Sequence, residues 1–345
     1  MRSFNREPHG EAVGPFRPRG GAAGLIIRNG YIVAEWGDTE RVDVTFSVTK
    51  SFVSTVVGLA FDRGLLRDLH RPVYRDVAPI VTLAGPPGVP DSASLRPITG
   101  AAISPFRVLD LFAGEHNRKI TWDHLLRQTS DWQGELWAKP DWADRPRGDL
   151  EQWKQRPRNE PGSVYTYNDV RVNVLALAAL NIWRRPLPQV LKEHVMDPIG
   201  ASDTWRWYGY DNSWIVLDGQ LVQSVSGGAH WGGGMWISAR DMARFGLLTL
   251  RRGRWGDRQL ISEQWIRLAT TPTPAQQTYG FMNFFLNTNR QPLPAAPPQA
   301  FYHLGAGNNV IYVDPVHDIV IVARWITNLA ALNAMIEKVL TGVTS

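Results

Sequence analysis

The chain has 345 residues, a net charge of +5 and no cysteine, with 43% hydrophobic and 20% charged residues. This is a globular balance, long enough for one large or two modest domains, and it excludes disulfides, thiolate catalysis and cysteine-ligated zinc. The arginines are scattered, with no basic arm or zinc-finger spacing, so no nucleic-acid partner is expected.

The first stretch, Met1 to Gly21, is polar and rich in Arg, Gly and Pro. It lacks the apolar core of a secretory signal, and no run reaches membrane-spanning length, so a cytoplasmic location without a membrane partner is expected. Leu25-Ile26-Ile27 and Tyr31-Ile32-Val33 flank Asn29-Gly30, which predicts a hairpin over 24–36. Phe46, Phe52, Val53, Val56, Val57 and Ala60 recur at helical spacing, predicting a helix over 46–63 that stops at Gly64. Residues 70–105 are rich in Pro, Gly and Ser and read as loop with short helices. A helix capped by Thr121 is expected over 120–128, then a loop dense in Trp, Asp and Pro over 130–162. Val170–Trp183 reads as an apolar helix and Pro188–Val195 as a short one. Residues 205–216 are expected to be partly extended, and Gly227–Gly234 to form a glycine-rich loop. That loop lacks the Gly-Lys-Ser/Thr of a phosphate cradle. A helix over 239–250, a strand over 279–287, a hairpin of 309–313 with 319–326, and a helix over 329–340 complete the chain. No internal repeat is present.

Ser47-Val48-Thr49-Lys50 lies at the start of the first predicted helix. Residues three apart on a helix are neighbours, so the Lys50 ammonium can reach the Ser47 hydroxyl. A lysine deprived of water gives up its charged form more readily and can then accept the serine's proton. Tyr167-Asn168-Asp169 precedes the helix at 170, where the phenol of Tyr167 can move protons. His303-Leu304-Gly305 precedes the last hairpin, where glycine lets a substrate approach the strand edge. There is no G-x-S-x-G and no H-E-x-x-H or other close histidine pair, so neither an α/β-hydrolase nor a zinc site is expected. No cofactor is expected.

The three motifs together resemble the serine β-lactamase and penicillin-binding superfamily. The nearest branch is the class C-like group of family VIII carboxylesterases and 6-aminohexanoate-oligomer hydrolases. Its pattern runs S-x-x-K, Y-x-N, then K-T-G or H-x-G, and the chain carries the three in that order. Ile120–Ser130 and Gly233–Phe245 also resemble segments of that family, and the likeness spans roughly residues 22–340. It implies an α+β fold, an antiparallel sheet flanked by helices with a mostly helical insertion. The sheet domain is then expected at 1–69 and 200–345 and the helical domain at 70–199, with the active site in the cleft between them.

The resemblance further implies an acyl-enzyme on Ser47, with Lys50 or Tyr167 as base and Tyr167 protonating the leaving group. The backbone N–H groups of Ser47 and Ala306 would form the oxyanion hole. His303 and Gly305 would position the substrate. Two departures shift the expected substrate. Asp169 stands where the family has an asparagine that donates to substrate; an ionised carboxylate only accepts, leaving Asn168 or Asn173 to compensate. His303 stands where lysine helps hold a carboxylate. Small esters or simple amides are therefore expected ahead of β-lactams, D-amino peptides or acyl transfer. A non-catalytic ligand-binding relative is the reading of another class, and the filled polar positions argue against it. His230, in Gly228-Ala229-His230-Trp231-Gly232, is a further candidate, and Trp137, Trp142, Trp207 and Tyr208 are expected as pocket walls.

Overall fold

Asn29 and Gly30 both take left-handed backbone, with φ of 51° and 84°, the geometry of a two-residue hairpin turn. They join the strands Ala23–Arg28 and Tyr31–Trp36 as expected. The computed structural model in which this is seen describes residues 9–83 and 106–344, so part of the predicted 70–105 loop lies outside the described residues.

The chain divides into two compact units. One comprises Arg17–Arg67, Pro188–Trp207 and Gly234–Ser345. Its sheet has six antiparallel strands in the order Phe285–Leu286, Phe301–Gly305, Asn309–Asp314, Ile319–Arg324, Ala23–Arg28, Tyr31–Trp36. The two ends of the sequence meet in its middle, where Ala23 faces Arg324 and Arg28 faces Ile319. Asn309–Asp314 and Ile319–Arg324 are buried at every position, because helices cover both faces. Side chains alternate across a strand. Accordingly Ile319, Ile321, Val310 and Tyr312 pack with Leu332 and Ile336 of the terminal helix Leu329–Thr344. On the other face Gly246, in the helix Ala239–Leu250, lies against Ile311 and Val320. A β-carbon there would collide with both side chains, so glycine sets how near this helix sits.

The helix Thr49–Asp62 belongs to the same unit. Residues 49–60 are all buried. The expected single apolar face is thus a helix enclosed on all sides, which is what its Val, Ala and Leu content supports. It begins three residues later than expected, because Phe46–Val48 form a 3₁₀ turn. Its end is as expected: Gly64 takes φ of 71°, and the Leu65 N–H bonds to the Ala60 carbonyl.

The other unit comprises residues up to Phe16, Asp68–Leu187 and Tyr208–Gly233. Its centre is the helix Asp169–Trp183, buried along nearly its whole length and capped by the Asn168 side chain on the Arg171 N–H. Thr121 caps the helix Trp122–Leu126, with the His124 side chain completing a capping box. The strands Phe106–Leu109, Ile80–Leu83, Arg206–Leu217 and Gln220–Val225 pair antiparallel. These pairings explain why 208–233 groups with the helical part, not with the sheet part as expected: Val216 and Ile215 face Val81 and Thr82. Residues 188–207 group with the sheet, where the Ser202 hydroxyl donates to Asp241, 2.6 Å away.

Two local expectations change. The strand expected over 279–287 shrinks to Phe285–Leu286. Asn283 takes φ of 64° and its N–H donates to the Tyr279 hydroxyl, which folds 279–284 into turns. The helix expected over 188–195 is Leu187–Leu191 running into a π-helical turn, Lys192–Met196. Among the described residues, no helix is long and apolar enough to cross a membrane.

Candidate active site

Ser47 sits in the 3₁₀ turn ahead of its helix, and the turn is strained. Phe46 takes φ of 49°, a left-handed conformation that costs a non-glycine residue about 1–3 kcal/mol. The strand Gly234–Ile237 holds it in place. The Thr45 N–H donates to the Met235 carbonyl at 2.9 Å, and the Met235 N–H donates to Thr49 Oγ1 at 3.0 Å. Met235 therefore grips the chain on both sides of Ser47. The Phe46 ring packs edge-on against Trp325, with centroids 6.1 Å apart.

Lys50 Nζ donates to Ser47 Oγ at 2.9 Å. Lys50 is 0% exposed, whereas Ser47 is only partly buried. This is the contact that the three-residue spacing predicts, made by a lysine sealed from water and a serine that is not.

The third motif also comes to this turn. Gly305 ends the strand Phe301–Gly305. A β-carbon on Gly305 would lie far inside the Thr45 carbonyl oxygen and 3.2 Å from Ser47 N. Backbone thus packs on backbone beside the nucleophile, and only glycine permits it. Gly305→Ala should lower Tm and cost roughly 1–3 kcal/mol of stability, the usual range for overpacking. Hydrolytic activity should fall at least tenfold with it, because Ser47 is displaced; a thermal melt and an ester assay check both. Ala306, the expected second oxyanion donor, is exposed.

His303 departs from expectation. The imidazole is 0% exposed and boxed by Phe245, Phe284 and Phe301, at centroid distances of 5.8, 4.5 and 5.8 Å. Its Nδ1 lies 2.8 Å from Ser51 Oγ and 3.2 Å from the Asn283 carbonyl. Burial pushes its pKa down to about 3, which keeps the ring neutral. It therefore ties the strand to the Ser47 helix one turn past the nucleophile. A side chain with no accessible surface does not touch substrate, so the expected direct positioning role is corrected.

The second motif lies in the other unit. Tyr167 is partly buried, next to the helix cap Asn168. Asp169 is 1% exposed, and its carboxylate accepts from Arg145 Nη1 at 2.8 Å. The same Nη1 donates to Asp144 at 2.5 Å, and Nη2 lies 3.2 Å from His230 Nδ1. The Asp169 N–H donates to the second Asp144 oxygen. Arg145 then places its guanidinium carbon 5.1 Å from the centroid of the Tyr167 ring. His230, expected in the cleft, is 3% exposed and belongs to this cluster. A ring that accepts at Nδ1 carries its proton on Nε2, the nitrogen 3.6 Å from Asp144.

Asp144, Asp169 and His230 bring ligand atoms within 4.8 Å of one another, a spacing that suits a metal. Arg145 bonds to all three, so a guanidinium takes the place of the ion. Neither expected substitute donor is available. Asn168 caps its helix and donates to the Asp141 carbonyl at 2.7 Å. Asn173 donates to the Tyr210 hydroxyl and accepts from the Gly227 N–H.

The expected pocket walls separate. Trp137 and Trp207 are buried, at 8% and 5% exposure. Trp142 stands edge-on to His9, with the Lys154 ammonium 4.7 Å from its centroid. Tyr208 is exposed. Sequence reasoning missed Arg145, Asp144, Ser51 and Met235. A buried carboxylate at 169 signals that a cation must pair with it, but nothing in the sequence says which arginine does.

Known proteins share this fold. A Mycobacterium bovis beta-lactamase superposes with a TM-score of 0.60 at 21% identity, covering 94% of this chain and 95% of that one. A beta-lactamase/D-alanine carboxypeptidase from Yersinia pestis superposes at 0.58 with 14% identity, covering 100% and 98%. At such identities the likeness is one of fold: the β-lactamase/transpeptidase-like fold, with antiparallel sheets and flanking helices. An Escherichia coli O157:H7 protein named "Putative D-alanyl-D-alanine carboxypeptidase" is 25% identical over 207 residues, 50% of this chain and 48% of its own length. The chain spans about half the length of the curated relatives it matches. The model of the family described as Beta-lactamase matches residues 13–330, a range that takes in both units, so the chain belongs to the beta-lactamase family of hydrolase fold.

Proposed function

We propose that this chain is a serine hydrolase that works through an acyl-enzyme on small carboxylic esters or simple amides. The observation that carries the reading is the 2.9 Å contact between Nζ of the fully buried Lys50 and Oγ of the partly exposed Ser47. In this reading Lys50, as a neutral amine, takes the Ser47 proton, and Oγ attacks the substrate carbonyl. The oxyanion is met by the N–H groups of Ser47 and Ala306. Tyr167, assigned through its motif, passes a proton to the departing alkoxide or amine. Lys50 then passes the proton it took to the Tyr167 phenolate, which resets both groups; water attacks the acyl-enzyme and gives its proton to Lys50, and that proton returns to Ser47 Oγ as the acid leaves.

Ester or simple amide is favoured over β-lactam by His303. The family's lysine at this position helps hold a substrate carboxylate, and a neutral, enclosed imidazole offers no cation for one. Relatives named for D-alanine carboxypeptidase activity supply the alternative, peptidase or lactamase chemistry on the same nucleophile.

Incubation with a fluorophosphonate, followed by mass spectrometry, should place one adduct on Ser47. Hydrolysis of p-nitrophenyl butyrate should exceed that of nitrocefin and of a short linear amide. A folded protein with no Ser47 adduct would be a binding relative and no enzyme. Strong nitrocefin turnover with negligible ester cleavage would reverse the substrate ranking.

A further inference from the structure

The unit that holds Ser47 carries a second concave site, a pocket of about 500 Å³, a size typical of small-molecule sites. Every residue that lines it belongs to that one unit, and Ser47, Lys50 and Gly305 are not among them. Its walls come from the last turn of the helix Ala239–Leu250, the helix Glu263–Ala269, the strand Phe301–Gly305 and the turn after Asp314. Leu250, Ile266 and Phe301, all buried, form its apolar floor. Val316, 55% exposed, extends the apolar surface to the mouth.

The floor is fixed from behind. Phe301 stacks on Phe284 at 5.6 Å between centroids, and Phe284 stands edge-on to His303 at 4.5 Å. Beside Ile266, Trp265 is wedged over Gly58 of the Ser47 helix, where a β-carbon would lie 2.4 Å from the indole nitrogen. Walls held by core packing are in place before a ligand arrives, so little ordering is lost on binding.

The rim carries the charge. Arg252, Glu263 and Arg267 line the pocket. Glu263 accepts from Arg252 at 3.2 Å, whereas the Arg267 side chain makes no hydrogen bond or ion pair among the described residues. The acids of the neighbouring turn are engaged elsewhere. Asp314 accepts from the Val316 and His317 N–H groups, and Asp318 pairs with Arg251. The hydroxyls of Thr249 and Thr270 donate to the Gly246 and Ile266 carbonyls within their own helical turns. An apolar floor is thus edged by one uncompensated cation.

We propose that this pocket binds a monocarboxylate with an apolar chain, the chain over Leu250, Ile266 and Phe301 and the carboxylate at Arg267. A guanidinium fork matches a carboxylate in shape as well as charge, and burial of the chain supplies the rest of the affinity. The site is separate from the acyl-enzyme reading above and does not depend on it.

Octanoate is the probe, with 1-octanol as its neutral analogue and acetate as its chainless one. Ligand-observed NMR titration should show saturable binding of octanoate, about fivefold tighter than 1-octanol, the upper range for an exposed ion pair. Acetate should not bind at the same concentrations. Arg267→Glu turns attraction into repulsion and should weaken octanoate about tenfold while leaving 1-octanol unchanged. Val316→Asp, at an exposed turn position, should weaken octanoate too. Arg254→Glu makes the same change of net charge outside the pocket lining and should bind as wild type does. Absence of saturable octanoate binding overturns the proposal, as does equal affinity for octanoate and 1-octanol. Wild-type affinity in Arg267→Glu overturns it and places the ligand elsewhere, the Ser47 site included. An equal loss in Arg254→Glu overturns it as an effect of net charge alone. If Arg267→Glu does not fold, Val316→Asp decides: a severalfold loss supports the proposal, and wild-type affinity overturns it.

Discussion

Lys50→Met should lower kcat for ester hydrolysis by roughly three orders of magnitude, within the range that a positioned proton-transfer group contributes. Methionine keeps the length of the side chain in a site with no exposed surface, so packing changes little. What disappears is the amine 2.9 Å from Ser47 Oγ. Lys50→Arg separates charge from basicity. A guanidinium remains protonated at any working pH and cannot accept the Ser47 proton, so this variant should be as inactive as the methionine one. Burst kinetics and the rate of fluorophosphonate labelling measure the step directly, because both report attack by Ser47. Wild-type labelling rates in both variants would remove Lys50 from the base role and leave Tyr167 as the remaining candidate.

The second large effect is on stability. Arg171 lies in the helix Asp169–Trp183, 2% exposed, with Nη2 2.5 Å from Asp131 Oδ1 and 3.5 Å from Asp141 Oδ2. Arg156 and Arg158 bond to the same two carboxylates from the loop, and the Asn159 N–H donates to Asp131 at 2.8 Å. This network ties the loop expected over 130–162 to the helix that follows Tyr167. Arg171→Met leaves two buried carboxylates short of a cation and should cost about 3–5 kcal/mol, as broken buried pairs do. Urea unfolding measures it. Arg184→Ala is the contrast. Its partner Asp218 is 55% exposed, and so exposed a pair should be worth 1 kcal/mol or less. Equal losses in the two variants would deny the buried network its role.

The Asp131 pair also has a pH signature. Burial alone would raise its carboxyl, but the Arg156 hydrogen bond and the Arg171 charge outweigh that and hold it well below the ordinary range. A carboxylate with a lowered folded pKa stabilises fully above its unfolded value, and the contribution fades as pH falls below that value. The gap between wild type and Arg171→Met should therefore narrow on acidification below about pH 4, the unfolded carboxylate range.

Much of this protein is legible from local order in the chain. Asn29-Gly30 specifies its turn because few residues accept two left-handed conformations in succession. Thr121, Asn168 and Ser238 announce helix starts because their side chains satisfy N–H groups only a few residues away. Ser47 and Lys50 meet because three residues along a helix bring side chains together whatever surrounds them.

Only the tertiary structure decides what depends on distant partners. Phe46 breaks the helix that its apolar spacing predicts, because Met235, far along the chain, holds Thr45 and Thr49 in the turn. His303 looks like an active-site residue by its motif and lies buried against Ser51 and three phenylalanines. Asp169 looks like a lost donor until folding brings Arg145 against it from across a loop. Local rules act through covalent neighbours and are written in the order of residues. The pairing of buried charges and the enclosure of a ring act through space, and the sequence states only that such partners are needed.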